Sequence, residues 1–116
     1  GALAAAREAV AIRRELAAAR PEVYRPNLAT SLINLGSRLS ENGDAAAALS
    51  AAQEAIKTLA PAFHALPRRH AALMRVMAED YLAYCDEADI EPDAALLDPI
   101  IAKLKRLADE GDGEAG

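Results

Sequence analysis

Residues 2–10, ALAAAREAV, and residues 48–56, ALSAAQEAI, share six of nine positions at a separation of 46. A pattern that recurs at a fixed period within helix-forming sequence is the mark of stacked supersecondary units, because one unit cannot bury its apolar face without a neighbour. Both copies are strings of alanine, leucine and glutamate, strong helix formers with no β-branched alternation to suggest a strand. Aromatic residues make up 3% of the chain and tryptophan is absent, so the core must be made of Leu, Ile, Val and much Ala. Small side chains of that kind favour close helix-on-helix packing over sheets. At 116 residues there is room for one small domain.

Helical spacing carries most of the chain. In residues 2–20 the apolar positions Leu3, Ala6, Ala9, Val10 and Leu16 recur at helical intervals, and Pro21 prevents a smooth continuation. The segment PEVYRPNL reads as a linker, with Pro26 at the first position of a second helix whose face repeats Leu28, Leu32, Leu35 and Leu39 down to Asn42. Gly43 supplies a left-handed residue and Asp44 an N-cap for a third helix, which Pro61 ends or kinks. A fourth helix is expected from Arg68 to Glu87, with Leu73, Met77, Tyr81 and Tyr84 buried. After the acidic loop DEADIEPD, a preliminary turn at 93–97 leads to Asp98 as cap and Pro99 as first residue of a final helix. That helix carries the stripe Leu97, Ile100, Ile101, Leu104 and Leu107, and the tail EGDGEAG is expected to fray.

The second and third helices together resemble a tetratricopeptide repeat. Leu32, Leu35, Gly36 and Leu39 match its large-residue and Leu-Gly pattern, Gly43-Asp44 its inter-helix turn, Ala48, Ala52 and Ala55 its small positions, and Pro61 nearly its closing proline. Leu39 and Ala52 stand where aromatics are common in the family. A helical glycine costs about 1 kcal/mol relative to alanine. Gly36 is therefore expected to let its helix approach the Ala48/Ala52/Ala55 face closely, the plain alternative being a neutral glycine in an ordinary bundle. In the following repeat Met74, Met77, Ala78 and Tyr81 take the corresponding places. The separation of 46 exceeds the family's usual period of about 34. The resemblance is thus to long-helix members, of the kind found in large bacterial signalling or regulatory proteins.

The resemblance implies an all-α, right-handed superhelix of antiparallel hairpins with about five helices. A single domain at 1–109 would comprise the second helix of a preceding repeat (2–20), a complete repeat (26–64) and a degenerate capping repeat (68–109), followed by a flexible tail at 110–116. The chain lacks a starting Met and opens within a helix, so it is expected to be a fragment of a longer protein.

Candidates for chemistry are scarce. His64, His70 and Cys85 sit in no nucleophile motif, and His70 and Cys85 lie roughly 22 Å apart along one helix at 1.5 Å per residue, too far for a dyad. A buried thiol and two surface imidazoles are the ordinary alternative. Asp86, Glu87, Asp89, Glu91 and Asp93 offer oxygen ligands but lack the spacing of a calcium loop, and no zinc pattern or phosphate-binding glycine loop is present. Neither a metal nor a cofactor is expected. The cluster Arg68-Arg69-His70 suits an acidic partner or, more plainly, a solvated helix flank.

A net charge of -5 without a basic stripe argues against nucleic acid, and no apolar run reaches the length of a membrane span. One cysteine rules out an internal disulfide and fits a reducing, cytoplasmic compartment. By resemblance, the concave face of such an array binds a peptide or protein segment. Here that face would present Thr30, Ile33, Asn34, Ser37 and Ser40, joined by Arg75 and Glu79. The expected function is a non-enzymatic protein-interaction module in a scaffold or regulatory protein. The alternative is self-association as a homodimer through an array end where the first helix exposes Leu3, Ala6 and Val10.

Overall fold

The computed structural model describes residues 1–115, and side chains as far as residue 111. Five helices follow one another: α1 (Ala2–Ala19), α2 (Pro21–Glu41), α3 (Ala45–Ala65), α4 (Pro67–Ala88) and α5 (Ala94–Ala115). No strand occurs among the described residues. The connections are one to five residues long, which forces successive helices to turn back on one another. α1 packs on α2, α2 on α3 and α3 on α4, while α4 and α5 meet more sparingly. The smallest dimension of the molecule, 24 Å, is that of two helix layers at about 10–12 Å each.

The leucine stripe of α2 is buried along its length at Leu28, Leu32, Leu35 and Leu39. Opposite it, Ala48, Ala52, Ala55, Ile56, Leu59 and Phe63 of α3 are completely buried, as are Met74 and Met77 where α4 adds to the same core. Burying each large side chain of this set stabilises the fold by about 1.5–3 kcal/mol. Gly36 sits against α3, where an added β-carbon would lie 3.4 Å from the Ala48 carbonyl oxygen and 3.7 Å from the Ala51 β-carbon. Close approach holds, but the neighbour on α3 is Ala51 rather than Ala52 or Ala55. Tyr84 of α4 supplies a third side of the niche, 3.4 Å from the same point.

The α2–α3 turn is built by local chemistry. Gly43 takes a left-handed conformation, φ 80°. The Asp44 N–H donates to the Leu39 carbonyl and the Gly43 N–H to that of Ser40, both at 2.9 Å, the paired bonds of a Schellman end. The Asp44 carboxylate then accepts the Ala47 N–H at 3.1 Å and opens α3.

Helix boundaries differ from the sequence expectation wherever proline was taken as a break. Pro21, not Pro26, occupies the first turn of α2, so PEVYRPNL is helical rather than a linker. Pro26, Pro61 and Pro99 all lie inside helices. Each removes the donor that would pair with the carbonyl four residues earlier, and those carbonyls belong to Glu22, Lys57 and Ala95, all exposed. At exposed residues the lost bond is open to replacement by solvent, which lowers the cost of continuing the helix through each proline.

α5 begins at Ala94, ahead of the expected cap at Asp98. Asp93 caps it instead, its carboxylate accepting the Leu96 N–H at 3.3 Å, and the Asp93 N–H donates to the Tyr81 hydroxyl at 3.0 Å. Leu97 and Ile100 are buried, whereas Ile101, Leu104 and Leu107 are only partly covered. The segment expected as a flexible tail continues as helix through Ala115; residue 116 and the side chains of 112–116 lie outside the described residues.

α1 presents Val10 and Ala17 to α2, with Leu3 and Ala6 partly covered beside them. The face expected to be open is thus the packed one. Ile12 and Leu16 instead point outward, 53% and 38% exposed. Arg13 donates to the buried Ser31 hydroxyl of α2 at 2.9 Å, and Arg14 forms a two-pronged ion pair with Glu54 that ties α1 to α3.

Candidate functional site

Of the residues expected to line a binding face, Thr30, Asn34 and Ser37 on α2 and Arg75 and Glu79 on α4 are exposed. On α2 an interval of three to four residues returns to the same side of the helix, and Thr30, Asn34 and Ser37 are exposed together. Thr30 turns its hydroxyl back on its own helix, donating to the Pro26 carbonyl at 3.1 Å. Asn34 and Ser37 have no side-chain partner among the described residues.

Ile33 and Ser40 do not belong to this open face. They share a flank of α2 with Gly36, three residues on from Ile33, and that flank turns toward α4. Ile33 is 7% exposed, and the Ser40 hydroxyl bonds the Glu87 carboxylate at 3.2 Å across the seam. Ile33 therefore serves core packing, while the half-buried Ser40 links α2 to α4 through an exposed hydrogen bond. Ser31, which sequence reading passed over, is the buried polar group of α2 and is satisfied by Arg13. A lone serine in an apolar run gives no signal of such a partner.

On α4 both Arg75 and Glu79 are exposed, and no ion pair joins them. Nearby, burial and then the adjacent Glu79 push the Asp80 carboxyl above its usual range. The Tyr84 phenol, which reaches Gly36, is raised chiefly by burial and further by Asp80, Glu87 and Glu41. The seam between α2 and α4 is thus acidic, formed by Asp80, Glu87 and Glu41 around Tyr84. The exposed Asn34, Ser37 and Arg75 offer amide and hydroxyl hydrogen bonds and a guanidinium, groups suited to a peptide backbone with an acidic side chain. They are not a basic clamp for a terminal carboxylate.

Cys85 is buried at 2% exposure on α4, and His64 is exposed. Among the described residues no group of three or more His, Cys, Asp or Glu is placed to hold a metal ion. No described helix is long and apolar enough to cross a membrane.

Concavities lie away from the expected face. One of about 480 Å³ is bounded by the α3–α4 turn and α5; a second of about 610 Å³ adjoins it at Ala65, Leu66 and Arg69 and reaches the start of α2. The sequence signal for this region was the Arg68-Arg69-His70 cluster; what it lacked was the far-removed stretch of α5 that completes it. Comparison of the chain with protein-family models, curated proteins and solved structures gave no match. A stack of helical hairpins, compatible with a helical repeat, is the level at which the chain is placed.

Proposed function

We propose that the chain is a tetratricopeptide-like, non-enzymatic interaction module that holds a peptide or protein segment against the outer faces of α2 and α4, in a scaffold or regulatory role. The observation that supports this most is the division of α2 into sides: its leucine stripe and its α4-facing flank are packed, while Asn34 and Ser37 remain exposed and unpartnered, and α4 likewise leaves Arg75 and Glu79 exposed. Selection of binding peptides from a random library, followed by measurement with the Asn34→Ala/Arg75→Ala variant, tests it. Loss of about ten-fold in affinity is expected, since two polar hydrogen-bonding groups are removed; equal affinity would move the binding face elsewhere.

A second reading, self-association without a separate ligand, is favoured by the outward-facing Ile12 and Leu16. They extend a stripe with Ala5, Ala9 and Ala19 at alternating intervals of three and four, the seam of a helix pair. Light scattering over a range of protein concentrations separates the two. A dimer that dissociates on Ile12→Glu supports self-association, and a monomer at all concentrations excludes it.

A further inference from the structure

We propose that the cleft between the α3–α4 turn and α5 is a second binding site, independent of the α2/α4 face, for an acidic peptide segment that carries an apolar side chain beside its carboxylates. The fold brings together two groups of cations far apart in sequence: Arg68 and Arg69 at the start of α4, and Lys103 and Arg106 on α5. Lys103, Arg106, Leu107 and Glu110 share one side of α5 because they are spaced by three and four. Glu110 bonds Arg68 at 3.2 Å. Arg69, Lys103 and Arg106 have no described ion-pair partner, so the cleft keeps an excess of positive charge in a protein whose net charge is -5.

The Arg68–Glu110 pair fastens α5 to α4, but no such contact accounts for Arg69, Lys103 and Arg106. α4 begins without a side-chain cap and without an acid in its first turn. Its first N–H groups and the positive end of its dipole thus lie beside Arg69, where a cation is disfavoured. An anion seated in the cleft relieves both the dipole and the mutual repulsion of the cations. Leu66, 54% exposed, and Leu107 supply an apolar floor between the charges. A bare anion makes no use of that floor. A volume of about 480 Å³ takes a few residues, and the adjoining 610 Å³ lets an extended segment continue past Arg69.

The test uses fluorescein-labelled Glu-Asp-Leu-Phe-Glu-Asp and its uncharged counterpart Gln-Asn-Leu-Phe-Gln-Asn, read by anisotropy. The acidic peptide should bind at least about ten-fold more tightly and weaken as salt rises. Arg69→Gln/Arg106→Gln should abolish the difference with the circular dichroism unchanged, since both side chains are exposed. Leu66→Ser should weaken the acidic peptide by a few-fold. Asn34→Ala/Arg75→Ala should leave it unaffected, so that failure here and failure of the α2/α4 face are told apart. Equal binding of the two peptides, or no saturation by the acidic one at about 1 mM, would overturn the proposal. So would full binding by the double variant. Displacement by inorganic phosphate combined with indifference to Leu66→Ser would reduce the site to a simple anion pocket and overturn the peptide assignment.

Discussion

Between α2 and α3 the chain sets Gly36 against Ala48 and Ala51, and the facing alanines at 48, 52 and 55 are wholly buried. Between α4 and α5 it uses Leu97 and Ile100, then leaves Ile101, Leu104 and Leu107 half-covered. The turns differ in the same sense. Gly43 adopts the left-handed conformation at no steric cost, whereas at the end of α4 the same role falls to Asp89, φ 55°, a residue with a β-carbon. The Ile90 N–H to Cys85 and Asp89 N–H to Asp86 carbonyl bonds nevertheless repeat the geometry of the first turn. Small residues let two helix backbones share a continuous seam, while large ones hold a helix by a few anchors. The α2–α3 hairpin, with α4 against it, is therefore the closely packed body and α5 its loosely covered edge.

Truncation of one leucine in each hairpin tests the difference most strongly. Leu59→Ala in α3 should cost about 2–5 kcal/mol in denaturant unfolding, the range for a buried cavity, and Leu104→Ala in α5 about 1 kcal/mol because its methyls are already half in water. Equal losses would remove the distinction between body and edge. Filling the niche is the next step down: Gly36→Leu should cost about 1–3 kcal/mol through overpacking. Gly36→Ala, whose β-carbon meets atoms at ordinary van der Waals distance, should gain up to about 1 kcal/mol from helix propensity.

The turns give smaller, opposite effects. Gly43→Ala should lose about 1–2 kcal/mol, and Asp89→Gly should gain up to about 1 kcal/mol by lifting the left-handed cost; a loss on Asp89→Gly would show that its side chain matters more than its backbone. A change of similar size concerns the phenols. Tyr81→Phe should cost about 0.5–1.5 kcal/mol by orphaning the Asp93 N–H. Burial, ahead of other causes, raises both Tyr81 and Tyr84, so each favours its neutral form in the fold. Their contribution to stability is intact below the ordinary tyrosine value of about 10 and is lost as pH climbs through the raised one. Tyr84→Phe should flatten the alkaline fall in stability, seen in thermal melts from neutral pH upward.

Helix positions were legible because the leucines of α2 and the Gly43-Asp44 punctuation act locally, within one or two turns. The prolines misled because their effect depends on which side of the helix they occupy, and that side is set by packing. The resemblance to a repeat set Thr30, Ile33, Asn34, Ser37, Ser40, Arg75 and Glu79 on one open face; five of them are exposed, while Ile33 is buried and Ser40 half-buried. The latter two lie at the margin, where the angle at which α4 arrives decides between water and a neighbour. The two arginines at 68 and 69 were visible as a cluster, but their companions on α5 become neighbours only after the chain has reversed direction.

Pro26, Pro61 and Pro99 act on the disordered chain as well as on the helices they interrupt. With its backbone rotation locked, each removes shapes that the loose polypeptide would otherwise explore, so less freedom remains to be surrendered when order sets in. What a helix forgoes in one bond to its carbonyl, it recovers partly from the stiffness of its own starting material.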